Sequence, residues 1–263
     1  MTGAGRGLGK RFAIGFAKLG AKVVLLSRSK GELDAARLEI EHGGGNALRI
    51  LADVRDREHM SAAVDRIGVH FGPLDVVVCA AGVLGPIGPF DGNDFDLWRE
   101  AMETNVIGVA NTCRAVLPSM KERRSGKIIV IAGPGAETGR PNFSAYAASK
   151  TAAVRFAESI AAELTEFNVQ VNCLHPGSAY TSATDEILRA GEAFAGWKEI
   201  EAAQQTRING GPSPDRQMEF VQFLASEASN HMTGMFITVN DDLRKLSQDS
   251  KSATFTLRRV QKS

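Results

Sequence analysis

Short apolar runs alternate along this chain with longer amphipathic stretches, and this alternation restricts the possible folds more than any other feature. The apolar runs are rich in valine and isoleucine, which is typical of strands buried on both faces of a sheet. We expect strands at residues 23–27, 47–54, 75–82, 127–133, 169–177 and 235–240. We expect helices at 8–19, 31–42, 57–71, 94–123, 144–167 and 214–226. The repeated units predict a single α/β domain with a doubly wound parallel sheet flanked by helices on both faces.

Composition agrees with one domain and excludes several classes of partner. The 263 residues are 43% hydrophobic, enough for one large core. Basic and acidic residues number 31 and 30, so no excess of positive charge indicates a nucleic acid partner. No apolar run approaches the ~18 residues of a membrane span, and the N-terminus lacks a signal-peptide segment. We therefore expect no membrane association.

Cysteine and histidine usage bears on location and metal binding. The cysteines Cys79, Cys113 and Cys173 are odd in number and lie in apolar stretches, which is typical of reduced, buried thiols in a cytoplasmic protein. The five histidines show no spacing that suits metal ligands. We expect a cytoplasmic protein without a bound metal.

Tyr146 and Lys150 stand four residues apart in a predicted helix, on one face and about a turn apart. A lysine cation near a phenol favours the phenolate and lowers its pKa from about 10 toward neutrality. Such a phenol can exchange a proton with an alcohol or carbonyl. The same spacing occurs by chance in many helices, so its meaning depends on the surrounding motifs.

Further motifs occur in a fixed order around this pair. They are TGAGRGLG at 2–9, Asp53–Val54, CAAG at 79–82, Asn105, YAASK at 146–150 and HPGSAYT at 175–181. Together they resemble the short-chain dehydrogenase/reductase family over about residues 1–240. That resemblance implies a Rossmann-type fold and hydride transfer between a nicotinamide and a secondary alcohol or ketone. In it Tyr146 is the acid/base, Lys150 lowers its pKa and holds the nicotinamide ribose, and Asn105 holds a water of the proton relay.

The resemblance also implies which residues contact the cofactor. The glycine loop would approach the pyrophosphate, and Asp53 and Val54 would contact the adenine. Ala81 and Gly82 would approach the adenosine ribose, and the segment from Pro176 to Thr181 would close over the nicotinamide. The expected contacts are Gly3, Arg6, Gly7, Leu8, Gly9, Ser27, Arg28, Asp53, Val54, Ala81, Gly82, Tyr146, Lys150, Pro176, Gly177 and Thr181.

The end of the second strand of such a fold indicates which dinucleotide binds. An acidic residue there would accept hydrogen bonds from the ribose 2′-hydroxyl and favour NAD. This chain has Ser27, Arg28 and Ser29 and offers no carboxylate at that point. Arg28 can pair with a 2′-phosphate, and the resemblance associates the position of Arg6 with NADP, so we expect NADP rather than NAD. If both arginines are merely solvated, the preference stays open.

Two features depart from the family pattern. Only Met1 precedes Thr2, so the first strand, central in the family's sheet, is absent, and we expect an apolar run to be encoded just upstream. Gly133, 13 residues before Tyr146, replaces the family's serine, which hydrogen-bonds the substrate oxygen. A backbone N–H, Thr138 or Ser144 could supply that donor, the substrate could carry its own polar group, or turnover could be lost.

The remaining segments are less specific. Residues 178–217 lie where members of the family build a helical substrate lid, and Phe194 and Trp197 suggest an apolar cover. Most of these side chains could equally pack as an ordinary helix pair. Residues 241–263 form a C-terminal extension, in which Arg258 and Arg259 could contact an anionic substrate but are better explained as part of a surface tail or subunit contact. The long apolar faces of 94–123 and 144–167 suggest, by the resemblance, a homodimer or homotetramer.

Three functions therefore stay open. An NADP-dependent oxidoreductase acting on a small carbonyl or alcohol is favoured by the motifs. A cofactor-binding protein without turnover, serving as a redox-responsive partner or structural subunit, is the alternative from another class. An epimerase acting by transient oxidation would use the same residues.

Overall fold

The computed structural model describes residues 1–248, which contain six strands and eleven α-helices. The strands are β1 (Lys22–Ser27), β2 (Asn46–Leu51), β3 (Val76–Cys79), β4 (Gly126–Ile131), β5 (Val169–His175) and β6 (Phe236–Thr238). The first six helices are α1 (Gly7–Lys18), α2 (Lys30–His42), α3 (Arg57–Phe71), α4 (Phe95–Met102), α5 (Gly108–Arg123) and α6 (Ser144–Leu164). The others are α7 (Ser182–Ala190), α8 (Glu192–Ala195), α9 (Trp197–Asn209), α10 (Pro214–Ala225) and α11 (Leu243–Gln248).

All paired strands run parallel. β1 pairs with β2, and the order β3-β4-β5-β6 forms a second set. Every residue of β4 is buried, and its successive side chains enter different cores. Ile128 packs in a cluster with α5 and α6, whereas Ile129 packs in a cluster with α1 and α10. The predicted parallel sheet with helices on both faces is thereby confirmed.

Met1 and Thr2 lie between β1 and β3, where the family's sheet has its central strand. Thr2 forms parallel bridges to Leu26 and Cys79. Its backbone N–H donates to the Val78 carbonyl at 3.0 Å, and the Leu26 N–H donates to the Met1 carbonyl at 3.0 Å. This two-residue segment is what connects the two sets of strands, and an apolar run encoded upstream stays a prediction.

The predicted helix 94–123 is helical over residues 95–123, but it is not a uniform α-helix. α4 and α5 are separated by a π-helical turn, Glu103–Ile107, which contains Asn105. Such turns widen the helix locally and are frequent at functional sites. The predicted strands 47–54 and 75–82 are also too long, because β2 and β3 end before the polar and glycine residues that follow them.

The predicted lid contains three helices, α7, α8 and α9, which pack on one another. Beyond residue 240, α11 returns to the domain, where Leu246 is buried in the cluster shared with β6. Arg258 and Arg259 lie outside the described residues. Among helices within residues 1–248, none is both long and apolar enough to cross a membrane.

Candidate active site

A cleft of about 460 Å³ opens at the carboxyl ends of the parallel strands, where ligands bind in sheets of this type. It brings together most of the residues that the sequence pointed to. Those lining it are Gly3, Arg6, Gly7, Leu8, Gly9, Ser27, Arg28, Asp53, Val54, Ala81, Gly82, Tyr146, Lys150 and Thr181. Asn105, Pro176 and Gly177 lie outside this lining.

The glycine loop is packed so closely that side chains would not fit. A Cβ on Gly3 would lie 2.7 Å from the Ala81 Cα, and one on Gly9 would lie 2.3 Å from the Gly3 carbonyl oxygen. The loop leads into α1, whose first residue, Gly7, lines the cleft. Arg6, at the N-cap, makes no side-chain capping bond. The free N–H groups of the first turn are therefore available to an anion such as a pyrophosphate.

The wall near β1 carries a carboxylate from beyond the strand end, which the sequence analysis did not consider. Glu32, in the first turn of α2, lines the cleft. A Cβ built on Gly5 would lie 2.9 Å from Glu32 Oε2 and 3.1 Å from Ser27 Oγ, so both groups flank Gly5. Arg6 Nη1 is 3.8 Å from Glu32 Oε1. The signal available in the sequence was Ser29, which caps α2 and so directs its first turn toward the strand end.

Asp53 and Arg28 belong to a network of charged residues after β2. The Asp53 carboxylate accepts hydrogen bonds from Arg55 Nη2 at 2.7 Å and Nε at 3.0 Å. Burial by itself raises the pKa of Asp53, but the bonds and charge of Arg55 outweigh it, and the net pKa is below its ordinary value. Arg28 Nη1 lies 3.8 Å from Asp53 Oδ2 and 3.6 Å from Glu100 Oε1. The Arg28 side chain is half exposed, so its guanidinium remains accessible from the cleft.

Tyr146 and Lys150 project from the first two turns of α6, as predicted. Lys150 is buried and its Nζ donates to the Ile131 carbonyl at 2.8 Å. Burial lowers the pKa of Lys150 to about 8. Its Nζ lies 5.7 Å from the centroid of the Tyr146 ring. The ammonium is therefore anchored at the end of β4.

The Tyr146 phenol does not have the lowered pKa expected from Lys150. Burial raises the pKa of Tyr146 above its ordinary value, and the positive charge of Arg140 opposes that rise. The Arg140 guanidinium lies 5.6 Å from the centre of the Tyr146 ring. In this structure desolvation therefore outweighs the charge of Arg140.

Gly133 lies directly against the Tyr146 hydroxyl, at the position where the resemblance expects a serine. The two side chains considered as replacement donors are both elsewhere. Thr138 is exposed, and neither Thr138 nor Ser144 lines the cleft. Ser144 Oγ already accepts a hydrogen bond from Trp98 Nε1 at 3.2 Å. Neither hydroxyl therefore lines the cleft beside Tyr146.

Asn105 joins α6 to the segment that follows β3. Its Oδ1 accepts from the Val83 N–H at 2.9 Å, while its Nδ2 donates to the Val83 carbonyl at 2.9 Å and to Ser149 Oγ at 2.8 Å. A buried asparagine in a helix is here compensated by bonds to a neighbouring segment. The contact with a water of a proton relay stays a prediction.

Thr104 is a cleft residue that the sequence analysis missed. It is 6% exposed and lines the cleft, and its hydroxyl is among the buried side-chain atoms without a hydrogen-bond partner in residues 1–248. An unpaired buried hydroxyl costs free energy, which a bound ligand can recover. In the sequence, the position of Thr104 directly before Asn105 could have indicated that it lies at the site.

Pro176 and Gly177, which do not line the cleft, are held by hydrogen bonds to neighbouring residues. The Pro176 carbonyl accepts from Gln217 Nε2 at 2.8 Å, and the Gly177 N–H donates to His175 Nδ1 at 3.1 Å. Gly177 has a φ of 73° and lies against Pro212.

Across residues 1–248, no group of histidine, cysteine and acidic residues has a metal-binding arrangement.

Comparison with known proteins agrees with this geometry. The short chain dehydrogenase family matches residues 1–191, and the chain belongs to that family. It is 31% identical to cyclohexanol dehydrogenase from Rhodococcus sp., over 92% of this chain and 94% of that protein. Members of this family are NAD(P)-binding oxidoreductases that act on alcohols and ketones.

Solved structures give the same result. Gluconate 5-dehydrogenase from Burkholderia cenocepacia, in complex with NADP and tartrate, superposes with a TM-score of 0.80 at 29% identity, covering 94% of each chain. NAD⁺-bound xylitol dehydrogenase superposes with a TM-score of 0.80 at 25% identity, covering 90% of this chain and 95% of that one. The chain is thus similar both to a structure holding NADP and to one holding NAD⁺.

Proposed function

We propose that this protein is an NADP-dependent oxidoreductase that interconverts a secondary alcohol and a ketone, with Tyr146 as acid/base. The observation that carries the proposal is the single cleft joining the glycine loop to Tyr146 and Lys150. The cleft fits a dinucleotide for two reasons. The loop packs closely only because Gly3 and Gly9 carry no Cβ, and this packing leaves its backbone open to a ligand. In addition, Thr104 offers an unpaired hydroxyl. The nicotinamide, when bound, supplies or accepts the hydride.

The roles of the protein's own groups follow from their positions. In ketone reduction the Tyr146 hydroxyl gives its proton to the carbonyl oxygen, and in alcohol oxidation the phenolate takes it back. Lys150, whose pKa burial lowers to about 8, can hold or release a proton near neutral pH. Its bond to the Ile131 carbonyl leaves ammonium protons for the cofactor ribose and the proton relay.

The choice of NADP rests on Arg28 and Arg6, whose guanidinium groups line the cleft near the end of β1. Arg28 presents a fork of donors suited to a phosphate. Glu32 works against a 2′-phosphate, because its carboxylate lies on the same wall. The solved relative with NADP supports the proposal, and the relative with NAD⁺ makes a direct comparison of the two cofactors necessary.

The surroundings of Tyr146 favour a substrate with an apolar skeleton. Its ring packs with a cluster built around Leu84, Phe143 and Ile187, which joins α6 to the lid helices. Cyclohexanol, in the name of one relative, is an apolar cyclic secondary alcohol. We therefore place cyclic ketones and their alcohols first in a substrate panel.

The test is NADPH oxidation with ketones and NADP⁺ reduction with alcohols, both followed at the nicotinamide absorbance. Tyr146→Phe should lower kcat by about 10²- to 10⁴-fold while the Kd of NADPH stays unchanged. Tyr180→Phe is the matched control, because Tyr180 is exposed and bonds Asp185. Equal activity of Tyr146→Phe and the unmodified chain would exclude the proposed role.

A cofactor-binding protein without turnover remains the second candidate. The raised pKa of Tyr146 and the missing hydroxyl at residue 133 favour it. NADPH binding without oxidation by any member of the ketone panel would support this candidate over the enzyme.

We also propose a homodimer or homotetramer in the cytoplasm. Phe95, Leu97 and Ile107 are each about half exposed around α4 and the π-helical turn, in agreement with a subunit contact there. Light scattering coupled to gel filtration measures the mass, and a monomer at micromolar concentration would contradict the proposal.

A further inference from the structure

Gly133 is glycine because of a neighbouring side chain, and its own backbone does not require it. A Cβ at this position would lie 2.3 Å from the Tyr146 Oη, 3.1 Å from its Cζ and 3.3 Å from its Cε1. Real Cβ atoms essentially never approach another heavy atom within 3.0 Å. The backbone of Gly133 is outside the positive-φ region. The close contact therefore arises from the hydroxyl of Tyr146.

Tyr146 is held at its backbone and packed along its ring. Its backbone belongs to the first turn of α6, and its ring packs against the cluster that includes Phe143 and Ile187. The loop carrying Gly133 is also held close to α6, because a Cβ on Gly135 would lie 2.8 Å from the Ala147 Cβ. Loop and helix therefore hold residue 133 close to the phenol.

We propose that Gly133 is a positioning residue for Tyr146: the absent side chain leaves the volume in which the phenol hydroxyl sits. The inference rests on the proposed function, in which this hydroxyl transfers the proton. It also changes the meaning of the departure from the family pattern. A serine at 133 does not restore a missing donor in this chain, because its Cβ displaces the hydroxyl that it should assist.

The first test uses stability alone. Gly133→Ala should lower the Tm by at least ~3 °C, since overpacking costs ~1–3 kcal/mol and each kcal/mol shifts Tm by a few degrees. In a Tyr146→Phe background, which removes the hydroxyl, the same change should cost less than half as much. Gly139→Ala is the matched control, because a Cβ there meets nothing within 4 Å, and it should leave Tm unchanged in both backgrounds.

An equal loss in both backgrounds, or no loss in either, overturns the proposal. If Gly133→Ala fails to fold when Tyr146 is present but folds in the Tyr146→Phe background, the proposal stands, and failure in both backgrounds counts as an equal loss. This double-mutant cycle needs no substrate. It therefore decides the inference even if the proposed oxidoreductase activity is absent.

The second test measures turnover. Gly133→Ser and Gly133→Ala should both lower kcat by ~10- to 10²-fold, because a displacement of about 1 Å is costly in a reacting geometry. The Kd of NADPH should stay unchanged, and Gly139→Ala should retain full kcat. A gain in kcat for Gly133→Ser overturns the proposal. Absence of turnover in the unmodified chain contradicts the proposed function, and the stability cycle still decides the inference.

Discussion

Arg140 and Glu199 form a two-pronged ion pair between the loop after β4 and the lid helix α9. Arg140 Nε and Nη2 donate to Glu199 Oε1 and Oε2 at 2.7 and 2.6 Å, and the Arg140 side chain is only 10% exposed. The guanidinium also lies 4.0 Å from the centre of the Phe143 ring. Because Arg140 is the charge that opposes the raised pKa of Tyr146, the lid is coupled to the phenol through this pair.

This coupling predicts opposite pKa shifts for two variants. Arg140→Met removes a cation and should raise the pKa of Tyr146, whereas Glu199→Gln removes an anion and should lower it. The chain has two tyrosines, so both variants are made in a Tyr180→Phe background that leaves Tyr146 alone. The phenolate absorbance is titrated with pH, over the range in which the circular dichroism spectrum stays unchanged. Shifts in the same direction would contradict the coupling.

Lys150 predicts a rise in stability at alkaline pH. Burial lowers its pKa from the ordinary 10.5 to about 8, so the unfolded chain binds more protons between these values. Through this group, the free energy of unfolding rises as pH increases from about 8 to 10.5. Lys150→Met keeps the volume and removes the rise. Urea unfolding at several pH values measures it, and parallel pH curves for the two proteins would show that the prediction is wrong.

Glu32 predicts a change in cofactor preference. Glu32→Gln removes the negative charge beside Ser27 and should tighten NADPH binding several-fold relative to NADH, since one exposed charge contributes roughly 1 kcal/mol or less. Fluorescence titration gives both Kd values. Glu39→Gln, in the same helix but paired with Lys10, is the control. An unchanged ratio in Glu32→Gln would mean that the 2′-phosphate lies elsewhere.

For Thr104 we predict that removing the hydroxyl lowers the affinity for NADPH without lowering stability. Its hydroxyl has no partner in the described chain, so Thr104→Val removes no internal bond. The Tm should stay equal or rise, while the Kd of NADPH increases about 5-fold or more if the hydroxyl bonds the cofactor. Calorimetry and fluorescence titration measure the two quantities. Unchanged affinity would assign the hydroxyl no part in binding.

For Asn105 we predict a loss of stability, in contrast to Thr104. Asn105→Ala leaves the Val83 N–H and carbonyl without their partner, which should cost about 2–4 kcal/mol of unfolding free energy. Asn111→Ala removes two bonds, to the Val54 and Arg55 carbonyls, and should cost less because Asn111 is only half-buried whereas Asn105 is buried. Chemical denaturation of both variants gives the comparison. Equal losses would contradict a special structural role for Asn105.

Sequence reasoning succeeded where the information was local. The strand and helix periods predicted the parallel sheet, and helical spacing placed Tyr146 and Lys150 together on α6. It did not predict the π-helical turn within 94–123, because the Asn105 side chain in that turn bonds Val83 and Ser149, which are distant in sequence.

The sequence by itself determined the fold class, through the periodicity of its strands and helices. Its resemblance to the family indicated many of the residues that line the cleft. Only the tertiary structure decided that Glu32 stands beside Ser27, that burial raises the pKa of Tyr146, and that Gly133 makes room for the phenol hydroxyl. The physical reason is that desolvation and close packing depend on contacts between distant segments, which residue spacing does not report.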